Sequence, residues 1–267
     1  MVKGIEKFRD HFTAFQDRYV LIGGTASTLA MEELGAAFRA TKDLDIVLCV
    51  EALDKEFTRQ FWAFIHEGGY ENRQKSTGKR LFYRFSSPKK STFPEMLELF
   101  SRVPDALQLA EGSHLTPIPV ADEVSSLSAI LLHEDYYTFI HSQKRVVNDL
   151  TIIGAECLIP LKARAFTDLS QRKATGEKVD SRTIKKHKND IFRIYTILDT
   201  SSKIKITDGI RNDLRKAFEM LRNEACDLKS LGITGTSVEA VLAEMESFYG
   251  IEGAPPETNP EIGNSQE

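Results

Sequence analysis

The segment running from Tyr19 to Val50, YVLIGGTASTLAMEELGAAFRATKDLDIVLCV, constrains this chain more than any other. An apolar strand leads into a Gly-Gly turn, then a short helix, then a second strand that carries two acids. Glycines put no Cβ in the way of an approaching anion, and the helix that starts near Thr25 offers N–H groups with no intrahelical partner. Gly23, Gly24 and Thr25 are therefore the candidate seat for a phosphate. Asp43 and Asp45 lie two apart on a strand, so both project from one face while Leu44, Ile46 and Leu48 project from the other. Two carboxylates on one face suit Mg²⁺, a hard cation that takes oxygen ligands.

Fold class follows from the order of elements. Strand Tyr19 to Ile22, helix Thr25 to Leu34, strand Leu44 to Val50 and helix Leu53 to His66 form an α/β (α+β) pattern. Further strands are expected at Arg80 to Phe85, Met96 to Phe100, Leu127 to Leu132 and within the Tyr136 to Ile153 region, which favours a mixed twisted sheet. From Ala155 onward the periodicity is helical. Pro160 is placed in a first turn, and helices are expected from Asp180 or Ser181 to Leu198, from Asp208 to Lys229 and from Ser237 to Tyr249. The expected organisation is an α/β domain over 1–154, a mainly helical C-terminal domain over 155–250, and a flexible tail over 251–267, where Pro, Glu and Asn replace large hydrophobes.

With 267 residues, 41% hydrophobic and 28% charged, the chain has material for one sizeable core or two modest ones. Its formal charge of −4 argues against wholesale coating of nucleic acid, so any polyanion has to be met by a local patch. Such a patch is available in Arg172, Lys173, Lys178, Arg182, Lys185, Lys186 and Lys188, with Lys75, Lys79 and Arg80 as further candidates. Cys49, Cys157 and Cys226 are odd in number, far apart and set among apolar residues, which reads as reduced, packed thiols. No apolar run is long enough to span a bilayer and the N-terminus has no signal-like apolar stretch, so no membrane is implied and the cytoplasm is the expected address.

Transfer at the α-phosphorus of a nucleoside triphosphate needs charge neutralised, an attacking hydroxyl deprotonated and pyrophosphate held in line. Two divalent ions about 3.5–4 Å apart do this when bridged by strand carboxylates and a third acid nearby. Glu98, enclosed by Leu97 and Leu99 in MLELF, is the best third acid; Glu95, beside Pro94, is a weaker one.

These motifs resemble the nucleotidyltransferase superfamily of the polymerase-beta-like fold, and more closely the AbiEii/AbiGii toxin family. The resemblance covers IGGTAS and TKDLDIVL in the first half, and LIPLKARAFTD and KKHKNDIFRIY in the second. It implies an enzyme of the 2.7.7 type that uses an NTP and Mg²⁺, with Gly23, Gly24 and Thr25 at the triphosphate, Asp43 and Asp45 on metal, Lys162 and Asp168 as a supporting pair and Asp190 as a late acid. It also implies tRNA or another RNA as acceptor, a cognate antitoxin as partner and a toxin–antitoxin or phage-defence setting. Two alternatives stand beside it: nucleotidyl transfer to a small hydroxylated compound, and a non-catalytic nucleotide-binding or interaction module.

Overall fold

The computed structural model describes residues 2–49, 52–71, 83–102, 115–118 and 127–251. Lys75, Lys79, Arg80 and the expected tail from 252 onward lie outside the described residues.

Among the described residues, eight strands form one mixed sheet: β1 (Tyr19–Ile22), β2 (Asp43–Leu48), β3 (Arg84–Ser86), β4 (Met96–Ser101), β5 (Leu115–Ile118), β6 (Leu127–Leu131), β7 (Lys144–Val147) and β8 (Leu150–Ile153). Their spatial order is β5-β6-β4-β2-β1-β8-β7, with β3 paired to β4. β1 runs antiparallel to β2 and parallel to β8, and β2 runs parallel to β4. The sheet is therefore mixed, as the order of motifs implies.

Register decides which side chains share a face. Tyr19, Leu21, Ile46, Leu48, Leu97 and Phe85 occupy one face through the pairs Tyr19↔Leu48, Leu21↔Ile46, Ile46↔Leu99 and Phe85↔Leu97. That side is covered by α1 (Ile5–Phe12) and α3 (Lys55–Gly68), whose Phe8, Phe12, Phe57, Phe61 and Phe64 form a continuous aromatic cluster with Tyr19 and Phe85. Sequence cues explain the limits of α3. The Asp54 carboxylate accepts the Phe57 N–H at 2.8 Å, and Gly69 ends the helix in the left-handed region at φ 65°. On the opposite face Ile22, Asp45, Glu98 and Arg84 form one row across four strands, through Ile22↔Asp45, Asp45↔Glu98 and Arg84↔Glu98. The acids therefore point away from the aromatic side.

That second side is met by α2 (Gly23–Glu33) and α5 (Ala155–Ala174), and α5 in turn packs on α6 (Ser181–Tyr195) and α7 (Asp208–Arg222). α8 (Val238–Tyr249) completes the helical half, with Ser237 accepting the Ala240 N–H at its start. Buried apolar residues from Val2 to Ile251 belong to one cluster that includes both the sheet and the later helices. Among the described residues, Cys49, Cys157 and Cys226 form no disulfide. Among the described residues, no helix is long and apolar enough to cross a membrane.

Two local expectations need correction. The strands of the Tyr136 to Ile153 region are β7 and β8, and they begin only after α4 (Glu134–Ser142), a helix the sequence reading did not include. Tyr136, Tyr137, Phe139 and Ile140 are buried at helical spacing, His133 caps the first turn, and two acids follow it, signals that outweigh the aromatic bias toward strand. The hairpin turns through Asn148 and Asp149, both at positive φ, as a two-residue connection with right-handed twist requires.

Pro160 lies inside α5 rather than in its first turn. Proline has no N–H to give, which strands the carbonyl four residues earlier. That carbonyl belongs to Glu156, and it accepts the Tyr249 hydroxyl at 2.9 Å instead. Tyr249 is fully buried, so the helical half is locked at this point by one hydroxyl. Tyr249→Phe is expected to cost about 1–3 kcal/mol, because a buried acceptor is left unpaired. A lower urea midpoint at unchanged slope checks it.

Candidate active site

Gly23 begins α2 directly after β1, with φ at +63°. A Cβ there would lie 1.9 Å from Asp45 Oδ2, so both the backbone conformation and the adjacent carboxylate demand glycine. At Gly24 a Cβ would come 2.7 Å from the Thr41 hydroxyl. Thr25 is buried and its hydroxyl donates to the Asp43 carbonyl at 2.8 Å, which ties the helix start to the strand carrying the acids. Its side chain is thus structural, while the N–H groups of the first turn keep the anion-binding geometry of a helix start.

Asp43 and Asp45 stand side by side on β2, and Glu98 is directly opposite Asp45 on β4. Among the described residues, no hydrogen bond or ion pair joins the carboxylates of Asp43 or Asp45 to another side chain. Burial raises the pKa of Asp45 to about 6; the charge of Glu98 adds to the rise, and Lys162 opposes it. Asp43 is also raised, first by burial, with Lys186 pulling against it. Glu98 is paired differently. The Arg84 guanidinium donates to its carboxylate. Among the described residues no three His, Cys, Asp or Glu side chains are already gathered as a metal-binding group.

Lys162 is buried on α5, and burial lowers its pKa while the Asp190 charge pulls it back up. Its ammonium lies 3.4 Å from Asp190 Oδ2. Asp190, on α6, is fully buried and also receives Arg39, with Nε 3.0 Å from Oδ1 and Nη2 2.7 Å from Oδ2. Arg193 approaches at 3.5 Å. Burial alone would push Asp190 up, yet the Arg39 hydrogen bonds and the Lys162 charge hold it below the usual carboxylate range. The neighbouring His187 is held down to about 4, by burial first and Lys162 second, and is neutral at physiological pH. This network ties the loop before β2 to α5 and α6, and fixes Lys162 within electrostatic reach of Asp45.

The structure thus brings Gly23, Gly24, Thr25, Asp43, Asp45, Glu98, Lys162 and Asp190 into one region. It does not bring Asp168 there. That residue is exposed, and its carboxylate pairs with Arg172 at 3.6 Å one turn along α5. The partner of Lys162 is Asp190. Glu95 is half-buried and bound by Lys3 and Lys42 at 3.1 and 3.3 Å. Two residues of the site escaped the sequence reading. Arg39, set among Ala36, Ala37, Phe38 and Ala40, gave only an isolated cation, and Arg84 gave one among several positive charges; Lys186 was read as part of the basic patch and not as a neighbour of the acids.

Two solved structures are similar to this chain. One is an antigenic nucleotidyltransferase-like protein from Paracoccidioides brasiliensis, 14% identical, with a TM-score of 0.43, covering 85% of this chain and 92% of that one. The other is the Megavirus polyadenylate synthase, 11% identical, with a TM-score of 0.37, covering 83% of this chain and 36% of that one. No family model and no curated protein matches.

The basic stretch on α5 and α6 is largely engaged with its surroundings. Arg172 pairs with Glu177, Arg182 with Asp180 and Lys188 with Glu224, while Lys173 donates to Ser181.

Proposed function

We propose that this chain is a Mg²⁺-dependent nucleotidyltransferase that moves a nucleoside monophosphate from an NTP to an acceptor hydroxyl. The observation that carries the reading is the meeting of two opposite requirements at one spot. Gly23 opens a helix N-terminus suited to phosphate, and the Asp45 carboxylate lies against it with Asp43 beside it.

Asp43 and Asp45 fit a hard divalent ion: their oxygens share a face, are raised in pKa by burial, and have no counter-ion in hydrogen-bond contact among the described residues. Bound there, Mg²⁺ would offset triphosphate charge and acidify the acceptor hydroxyl. A second ion would draw on Glu98. The chain's own groups supply the rest. The first turn of α2 donates N–H groups to the triphosphate, and Lys162, oriented by Asp190, places a positive charge close to the acids. In the transfer the acceptor oxygen bonds to the α-phosphorus, the bond to pyrophosphate breaks, and the hydroxyl proton passes to Glu98.

Resemblance to the AbiEii/AbiGii toxin family extends the proposal to tRNA or another RNA as acceptor, with a cognate antitoxin as partner; the positive charges on α5 and α6 suit such an acceptor. One observation favours a second reading, a nucleotide-binding module without transfer, because Arg84 occupies Glu98. Incubation with each labelled NTP, Mg²⁺ and total tRNA separates them. Label on RNA from the wild type but not from an Asp43→Ala, Asp45→Ala double variant is the expected result. NTP binding without pyrophosphate release would select the module.

A further inference from the structure

We infer that Arg84 is a positioning residue that competes with metal for the Glu98 carboxylate, so that the carboxylate set of the site is complete only when Arg84 lets go. The inference rests on the reading above and adds a residue and an order of events to it.

The geometry is a single row. Arg84, Glu98 and Asp45 are cross-strand neighbours on three adjacent strands, facing the same side. Cross-strand neighbours on one face have Cβ atoms roughly 5 Å apart, close enough for Glu98 to reach either side of its row. Asp45 and the ion it would hold lie one way, and Arg84 lies the other. In the structure the second contact is made: Nε and Nη2 of Arg84 both approach Oε1 of Glu98. The Glu98 side chain is 13% exposed and that of Arg84 46%, so the carboxylate is enclosed while the guanidinium can swing out to solvent or to a phosphate. The arrangement leaves Asp43 and Asp45 as the pair ready for a cation, in keeping with the lack of any three-residue metal group among the described residues. A guanidinium and a divalent ion compete for the same oxygens, so removing one strengthens the other.

The test measures Mn²⁺ binding without nucleotide, by calorimetry and by the electron paramagnetic resonance of free Mn²⁺. It uses the full chain, with thermal melts confirming that each variant folds. Arg84→Ala, and Arg84→Gln as a milder replacement, are expected to tighten Mn²⁺ by about three- to tenfold or to add a second ion. Glu98→Gln in the Arg84→Ala background is expected to abolish the gain. No gain in either Arg84 variant overturns the inference, as does a gain that survives Glu98→Gln. If the Asp43→Ala, Asp45→Ala variant binds Mn²⁺ like the wild type, or no variant binds it, the metal site itself fails. Binding lost with the two aspartates but indifferent to Arg84 leaves that site standing and removes only the role of Arg84.

Discussion

Asp45→Asn is expected to do two opposite things: abolish nucleotidyl transfer and make the protein more stable at neutral pH. The activity side follows from the loss of a carboxylate that would hold the metal, worth several kcal/mol of transition-state stabilisation, or about a thousandfold in rate. The stability side follows from linkage. Burial raises the Asp45 pKa to about 6 in the folded protein, against 3.8 for an unperturbed aspartate, so between those pH values the folded state holds a proton that the unfolded chain has released. Stability therefore falls as pH rises through that window and stays reduced above it. A neutral isostere removes the penalty, which amounts to at most about 3 kcal/mol. Melting temperatures of wild type and variant should converge near pH 4 and separate by several degrees near pH 7. The same carboxylate makes metal affinity depend on pH, since Mn²⁺ and the proton compete for it, and binding should weaken below about pH 6. A variant that is less stable than wild type at pH 7, or a melting difference that does not depend on pH, contradicts the account.

Asp190→Ala is expected to give the largest loss of stability of any single change at the site, about 3–5 kcal/mol. It leaves Lys162 buried without its carboxylate and removes the anchor of Arg39. The cost arises from an unpaired buried charge more than from a missing bond, and that distinction can be measured. A Lys162→Met, Asp190→Leu double variant replaces the pair with apolar groups of similar size and should recover most of the loss, since Arg39 is partly exposed and can turn to water. Urea unfolding of the three proteins checks it, and a double variant as unstable as Asp190→Ala would show that the network stabilises in another way. The recovered protein should remain inactive, because the positive charge beside the acids is gone.

Much of the arrangement was readable from the chain because short-range rules dictate it. The alternation in Asp-Leu-Asp-Ile fixes which face the acids take, and the apolar neighbours of Glu98 mark a strand interior where an acid has to open into a cleft. Gly23 is required both by its φ and by the Asp45 carboxylate, and the sequence already showed the glycine and the acids together. What stayed hidden depends on pairs distant in sequence. Arg39 and Asp190 are 151 residues apart, and nothing in the loop around Arg39 distinguishes it from a solvated cation. Lys162 borders the Leu161, Ala165, Phe166 stripe, but its burial arises from α6 lying across α5. Asp168, six residues beyond Lys162, projects to another side of the helix, where the sequence motif alone could not separate it from a partner. Pro160 is tolerated inside α5 because Tyr249, 93 residues beyond Glu156, supplies the missing donor. Glu98 was placed correctly in the sheet, whereas its pairing with Arg84 was not visible, since each residue alone has an ordinary reason to be there.

The central claim is that Asp43 and Asp45 hold a divalent ion against the helix start at Gly23. Crystals grown with Mn²⁺ and a non-hydrolysable NTP analogue, measured at a wavelength where manganese scatters anomalously, test it most directly. The account predicts an anomalous peak at about 2.0–2.3 Å from carboxylate oxygens of both aspartates, with the triphosphate over the first turn of α2. A peak elsewhere, or a nucleotide bound with no manganese between it and those two acids, would contradict it.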